Sequence, residues 1–205
     1  MSRWELVASL EGHESEVKSV SWSASGTYLA TCGRDKQVWI WERVKGVEFE
    51  CLGIMKGHSQ DVKFVRWHPH LDLLFSTCSD NSIKIWAEDA GDWFCANTLE
   101  GHSSTVWSCA FNREGTQFIS CSDDNSLVLW STSDMDKLLI WQRECRLADA
   151  HVFTIYSVDW SIRTGYVASA GAENSIRVYG TEGSGVLNDV CTRTGAHATD
   201  INCIR

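Results

Sequence analysis

The chain has 205 residues, 43% apolar and 22% charged, with a formal net charge of −9 and nine cysteines. This composition suits a packed globular core rather than a disordered chain. The acidic balance excludes a sequence-independent grip on phosphate backbones, which needs clustered Lys and Arg. Strictly apolar runs such as "VWIW" (38–41) and "LLIW" (138–141) stop at four residues, far short of a membrane span. The start, "MSRWELVASLEGHE", shows no secretory apolar stretch, so the cysteines are expected as reduced thiols in a cytoplasmic or nuclear protein.

In chain order, Arg3–Leu10 ("RWELVASL") precedes the phrase "EGHESEVKSVSW" at Glu11–Trp22. The phrase returns as "EGHSSTVWSCAF" at Glu100–Phe111, with weaker versions at His58, His151 and His197. The histidines His13, His58, His102, His151 and His197 are 45, 44, 49 and 46 residues apart. A period in the forties signals a repeat architecture. An acidic residue follows each of the first four histidines after 22 residues (Asp35, Asp80, Asp124, Glu173), and an aromatic follows six later (Trp41, Trp86, Trp130, Tyr179). Each unit reads as four short strands divided by turns. "VKSVSW" or "IYSVDW" opens the unit, "YLATC" or "QFISC" follows, then "QVWIW" or "SLVLW", then "FECLGIM" or "WFCANTL". No helical stripe of useful length is present.

Gly-His openings, with an acid six residues before an apolar-x-apolar-Trp ending, resemble WD repeats. The resemblance implies an all-β fold, a β-propeller of four-stranded blades around a channel. About four full blades are expected, with partial blades at both ends, out of a usual seven. The blades would run over 13–57, 58–101, 102–150 and 151–196, with 1–12 the outer strand of a preceding blade and 197–205 the start of another. The chain is then expected to be a piece of a longer ring and to be poorly soluble alone. The family also implies a buried hydrogen-bonded set in each blade: His13, Thr31, Asp35 and Trp41; His58, Ser76, Asp80 and Trp86; His102, Ser120, Asp124 and Trp130. The fourth blade departs, since His151 and Ser169 face Glu173 and Tyr179, and a looser blade is expected there.

Stretches outside the repeat consensus ("LATCGRDKQVWIWE", "HSQDVKFVRWHP", "SCSDDNSLVLW") are similar to the WD-repeat subunits of cytosolic iron–sulfur protein assembly. That resemblance implies a non-catalytic scaffold in a targeting complex. Its implied partners are a small bridging subunit, a helical-repeat adaptor, an iron-only hydrogenase-like carrier, and cytosolic and nuclear apoprotein clients. The alternative is a general WD-repeat recognition module in a degradation or chromatin complex.

Ser, His and Asp recur together once per unit, as bracing requires and catalysis does not, so no catalytic residue is expected. The cysteines recur once per blade instead of converging, which suits small buried hydrophobes better than cluster ligands. His68-Pro69-His70 lacks a second ligand pair nearby in sequence, so neither a metal nor a cofactor is expected. What remains is a binding face. Residues flanking the expected buried positions Val17, Val62, Val106 and Ile155, with the residue before each turn acid, would form one rim. The rim residues are Glu16, Lys18 and Arg34; Asp61, Lys63 and Ser79; Thr105, Trp107 and Asp123; Thr154, Tyr156 and Ala172. Arg34, Trp107 and Tyr156 are of the types that dominate interface energetics.

Overall fold

A computed structural model describes residues 5–134, 136, 138–182 and 186–204. Among these there is no helix; sixteen strands form four sheets, each an antiparallel meander of four consecutive strands. The first blade holds β1 (Val17–Trp22), β2 (Tyr28–Gly33), β3 (Gln37–Arg43) and β4 (Phe49–Lys56). The second holds β5 (Val62–Trp67), β6 (Leu74–Cys78), β7 (Ser82–Asp89) and β8 (Asp92–Glu100). The third holds β9 (Val106–Phe111), β10 (Gln117–Ser122), β11 (Leu127–Ser131) and β12 (Gln142–Leu147). The fourth holds β13 (Ile155–Trp160), β14 (Val167–Gly171), β15 (Ile176–Glu182) and β16 (Val186–Arg193).

Side chains alternate between the two faces of a strand. Both faces are apolar in the middle strands because each blade packs on its neighbours. Ala30, Cys32, Val38 and Ile40 of the first blade meet Val62, Val65, Trp67 and Trp86 of the second. Phe75, Ile83 and Ile85 of the second meet Val106, Phe111, Phe118 and Trp130 of the third. Ile119, Cys121, Leu127 and Leu129 of the third meet Ile155, Val158, Trp160 and Tyr179 of the fourth.

The first strand breaks this pattern. Val17, Val20 and Trp22 are 51–57% exposed, whereas Val62, Val65 and Trp67 in the same places of the second blade are at most 4% exposed. The expectation that Val17 is buried is thus corrected. Burial at this position comes from the face of a preceding blade, and the described residues before β1 form no sheet. Leu10 packs near Leu29, Trp39 and Trp41, but Glu5–Leu10 carries no strand, and Arg3 and Trp4 lie outside the described residues. At the other end Ile201 is 6% exposed and donates its N–H to the Gly171 carbonyl at 3.1 Å. The Ile204 N–H reaches Ser157 Oγ at 3.0 Å. Residues 197–204 carry no strand, and Arg205 lies outside the described residues.

The turn between the second and third strands has one design in every blade. The residue after the acid has positive φ: Lys36 (68°), Asn81 (70°), Asn125 (62°) and Asn174 (57°). Asn tolerates this left-handed region, whereas lysine gains nothing there. In the first three blades the Asp carboxylate also accepts the N–H two residues on, from Gln37 (3.2 Å), Ser82 (3.1 Å) and Ser126 (3.0 Å). Each Asp therefore closes its own turn as well as facing the histidine.

Candidate functional site

The acid of each turn lies beside the histidine that opens its blade. His13 Nδ1 is 2.7 Å from Asp35 Oδ2, and its Nε2 is 2.8 Å from Thr31 Oγ1, to which Trp41 Nε1 donates at 3.0 Å. In the second blade His58 meets Asp80 (3.0 Å) and Ser76 (2.7 Å), and Trp86 donates to Ser76 (2.8 Å). In the third, His102 meets Asp124 (3.1 Å) and Ser120 (2.7 Å), and Trp130 donates to Ser120 (2.9 Å). Every polar atom in these chains has a partner, which is what burial of such groups demands.

The fourth blade is wired differently. His151 Nε2 keeps Ser169 Oγ at 2.6 Å. Its Nδ1 stands 2.7 Å from Glu173 Oε1 but outside hydrogen-bonding geometry. The same Glu173 oxygen accepts from Ser175 and from Arg177 (3.2 Å), and Oε2 accepts the Val152 N–H at 2.8 Å. The Tyr179 hydroxyl donates to the Ala150 carbonyl at 3.2 Å.

These groups make stability depend on pH. Burial alone would raise the Asp80 and Asp124 carboxyls. Hydrogen bonds from His58 and Ser82, and from His102 and Ser126, outweigh it and hold both well below the usual carboxylate range. Burial pushes the His68 and His151 imidazoles below the ordinary value of 6.5. All four groups bind protons less readily folded than unfolded, so the stability they contribute falls as pH falls. The thermal midpoint is expected to be flat above about pH 6.5. It should decline below that as the two histidines contribute, then drop faster below about pH 4 as the carboxylates do. Calorimetry from pH 8 to pH 3 checks this, and a midpoint that rises on acidification contradicts it.

Four of the rim residues occupy a distinctive backbone feature. The register between first and second strands skips one residue in every blade: Lys18, Lys63, Trp107 and Tyr156. A bulge re-aims its side chain and interrupts alternation. These four side chains line one cavity of about 680 Å³, together with Ser19, Phe64 and residues 202–204. Lys63 Nζ stands 5.0 Å from the centre of the Trp107 ring, and Trp107 meets Tyr156 edge-on at 5.1 Å. Lys18 pairs with Glu16, and Lys63 with Asp61 at 3.4 Å.

Each residue before a turn acid is tied to the start of the first strand. The N–H groups of Arg34, Ser79, Asp123 and Ala172 donate to the carbonyls of Glu16, Asp61, Thr105 and Thr154. Thr154 Oγ1 also donates to Asp123 across the junction of the third and fourth blades, and Ser104 donates to Asp123 at 3.1 Å. Sequence reasoning missed both this inter-blade lock and the bulges, because neither leaves a residue-type signature.

The cysteines divide by strand. Cys32, Cys78, Cys109 and Cys121 are buried. Cys51, Cys95 and Cys191 in the outer strands are exposed, as is Cys203, and Cys145 is intermediate. The expectation of uniformly buried cysteines is corrected, since no further layer covers an outer strand. His58, Cys78 and Asp80 bring three potential ligand atoms within 4.8 Å. Both His58 nitrogens are engaged by Asp80 and Ser76. The Cys78 thiol, pushed up to about 12 chiefly by burial, donates to the Gln60 carbonyl at 3.2 Å. The trio is thus wired as a brace. In the His68-Pro69-His70 turn, His68 Nε2 donates to the Gly115 carbonyl (2.9 Å), and Nδ1 accepts from the His70 and Leu71 amides (3.2 and 3.0 Å). That histidine staples the second blade to the third and has no free nitrogen for a metal.

Four matches to the "WD domain, G-beta repeat" model cover residues 4–42, 49–87, 93–131 and 143–180. The chain belongs to the WD-repeat family. It is 45% identical to a protein of Candida dubliniensis named "Probable cytosolic iron-sulfur protein assembly protein 1", over 99% of this chain and 60% of that protein. A protein of Vanderwaltozyma polyspora with the same name is 46% identical over 98% of this chain and 60% of its own length. A "Probable cytosolic Fe-S cluster assembly factor" of Schizosaccharomyces pombe is 44% identical over 87% and 32%. The chain thus spans about three fifths of the first two of these relatives. In this WD-repeat chain each matched range starts before a repeat histidine and ends one residue past the Trp or Tyr of the third strand, so a family repeat straddles two structural blades.

Proposed function

We propose that this protein is a non-catalytic scaffold in cytosolic iron–sulfur protein assembly, and that its bulged rim is a surface on which partner proteins dock. The names of relatives 44–46% identical over most of the chain support the pathway. The rim supports the mode of action. Its cavity gathers charged and aromatic side chains from four blades, Lys18, Lys63, Trp107 and Tyr156, which offer interface contacts. The partners are those of a targeting complex: a bridging subunit, a helical-repeat adaptor, a cluster carrier and the receiving apoproteins. The site of action is the cytoplasm, with nuclear clients.

Arg34 is the rim cation chosen for the test, because its backbone is pinned to Glu16 while no ion pair among the described residues holds its guanidinium. Arg34→Glu in the tagged protein is expected to reduce recovery of the targeting partners about tenfold or more, the scale of reversing one interface charge. Its melting temperature should match the parent. Unchanged recovery, measured by quantitative mass spectrometry, would remove the rim from the contact surface. Recovery of a set of partners unrelated to iron–sulfur assembly would remove the pathway assignment.

A further inference from the structure

The blade junctions differ at the sheet ends opposite the rim. Trp141 precedes the outer strand of the third blade as Trp93 opens that of the second. Between the second and third blades, Leu138 and Trp141 are 6% and 5% exposed and pack with Leu73 in one buried cluster. Between the first and second, the corresponding cleft stays open as a cavity of about 250 Å³, lined by Tyr28, Leu73, Ala87 and Trp93 and edged by Asp72 and Glu88. Tyr28 and Trp93 meet at 5.8 Å and 83°, forming a right-angled aromatic corner. Trp67 backs the corner, stacked on Tyr28 at 5.9 Å and edge-on to Trp93 at 5.6 Å.

The corner is bordered by two carboxylates, Asp72 and Glu88. Aromatic faces carry the negative part of the ring quadrupole and attract cations. Burial raises the Tyr28 phenol, and the carboxylates of Glu42, Asp72 and Glu88 add to that effect. Burial also raises Asp72, with no neighbouring cation to offset it. Among the described residues, the Lys and Arg ion pairs are Lys18–Glu16, Lys63–Asp61, Arg146–Asp124 and Arg177–Glu173, none of them at this cavity. A cleft that needed only packing would be filled as its neighbour is. This one holds two aromatic walls and two carboxylates in no ion pair among the described residues, Glu88 also accepting the Gly91 N–H, on a chain that is acidic overall.

We infer that the Tyr28–Trp93 corner binds the guanidinium of an arginine presented by a partner protein. A guanidinium is planar, stacks on aromatic faces and presents a fork of donors that two carboxylates can share. An ammonium is compact and more strongly hydrated, so it fits the corner less well. The corner lies at the end of the sheets away from the rim, and the inference stands whether or not the rim is a docking surface.

The test is an NMR titration of the ¹⁵N-labelled protein, following the Trp93 indole N–H. The probes are N-acetyl-arginine amide, the lysine analogue and the neutral isostere N-acetyl-citrulline amide. A saturable shift is expected with arginine, about tenfold weaker binding with lysine, and no shift with citrulline. Asp72→Asn combined with Glu88→Gln alters only exposed side chains, so its far-UV spectrum should be unchanged while arginine binding weakens at least about tenfold. Equal responses to citrulline or lysine overturn the assignment. So does arginine binding that survives the double substitution, or the absence of any saturable shift up to about 100 mM.

Discussion

Asp124→Ala is expected to destabilise the protein by about 3–5 kcal/mol, the cost of removing one partner from a buried charged network. The Asp124 side chain is 4% exposed. It accepts from His102 (3.1 Å), from the amides of Ser103 (2.9 Å) and Ser126 (3.0 Å), from the Ser126 hydroxyl and from Arg146 (3.1 Å). Alanine leaves these donors facing a space without an acceptor, and each unpaired buried donor costs about 1–3 kcal/mol. The turn that Asp124 closes would loosen with it. Because blades contact only their neighbours, a weakened third blade also removes support from the second and fourth. Urea denaturation of the parent and variant measures the difference. A loss under about 1 kcal/mol would mean that the network does not brace the blade.

Phe118→Ala should cost about 3–5 kcal/mol by a different route. Phe118 is fully buried and touches four aromatic rings from two blades. It stacks on Trp130 at 5.8 Å and lies edge-on to Phe75 at 5.2 Å and to Trp141 at 5.0 Å, with Phe111 tilted at 5.5 Å. Truncation removes the ring's transfer energy and leaves a cavity that four rigid rings cannot close. Phe118→Leu should recover most of the loss, because it restores volume without polar cost. The same denaturation experiment checks both. Equal stability of the Ala and Leu variants would contradict the cavity account.

The two substitutions separate what was visible in the chain from what was not. Asp124 could be found by counting, since it stands 22 residues after His102 and six before Trp130, as Asp80 and Asp35 stand in their units. The role of Phe118 could not. The residue reads only as one apolar member of "QFISC", and the rings it touches come from β6, β9 and β11 and from the segment before β12. The fourth blade was flagged by its substituted Glu173 and Tyr179. The replacement bond from Tyr179 to Ala150 was not predictable, because a backbone carbonyl has no sequence signature. Val17 shows the converse error. Its place in the repeat marked it as core, but burial belongs to the neighbour that covers a face, and β1 has none among the described residues.

By itself the sequence determined the strand periodicity, the four repeats and the hydrogen-bonded His–Ser/Thr–Asp–Trp sets of the first three blades. All of these follow from short-range alternation and from a buried polar network that tolerates no missing partner. Only the tertiary structure decided that the rim is built on bulges at Lys18, Lys63, Trp107 and Tyr156, which of the nine cysteines are covered, and that one inter-blade cleft is filled while the next stays open as an acidic aromatic corner. Such features depend on how sheets stack. Stacking is set by contacts between residues tens of positions apart, which no local pattern records.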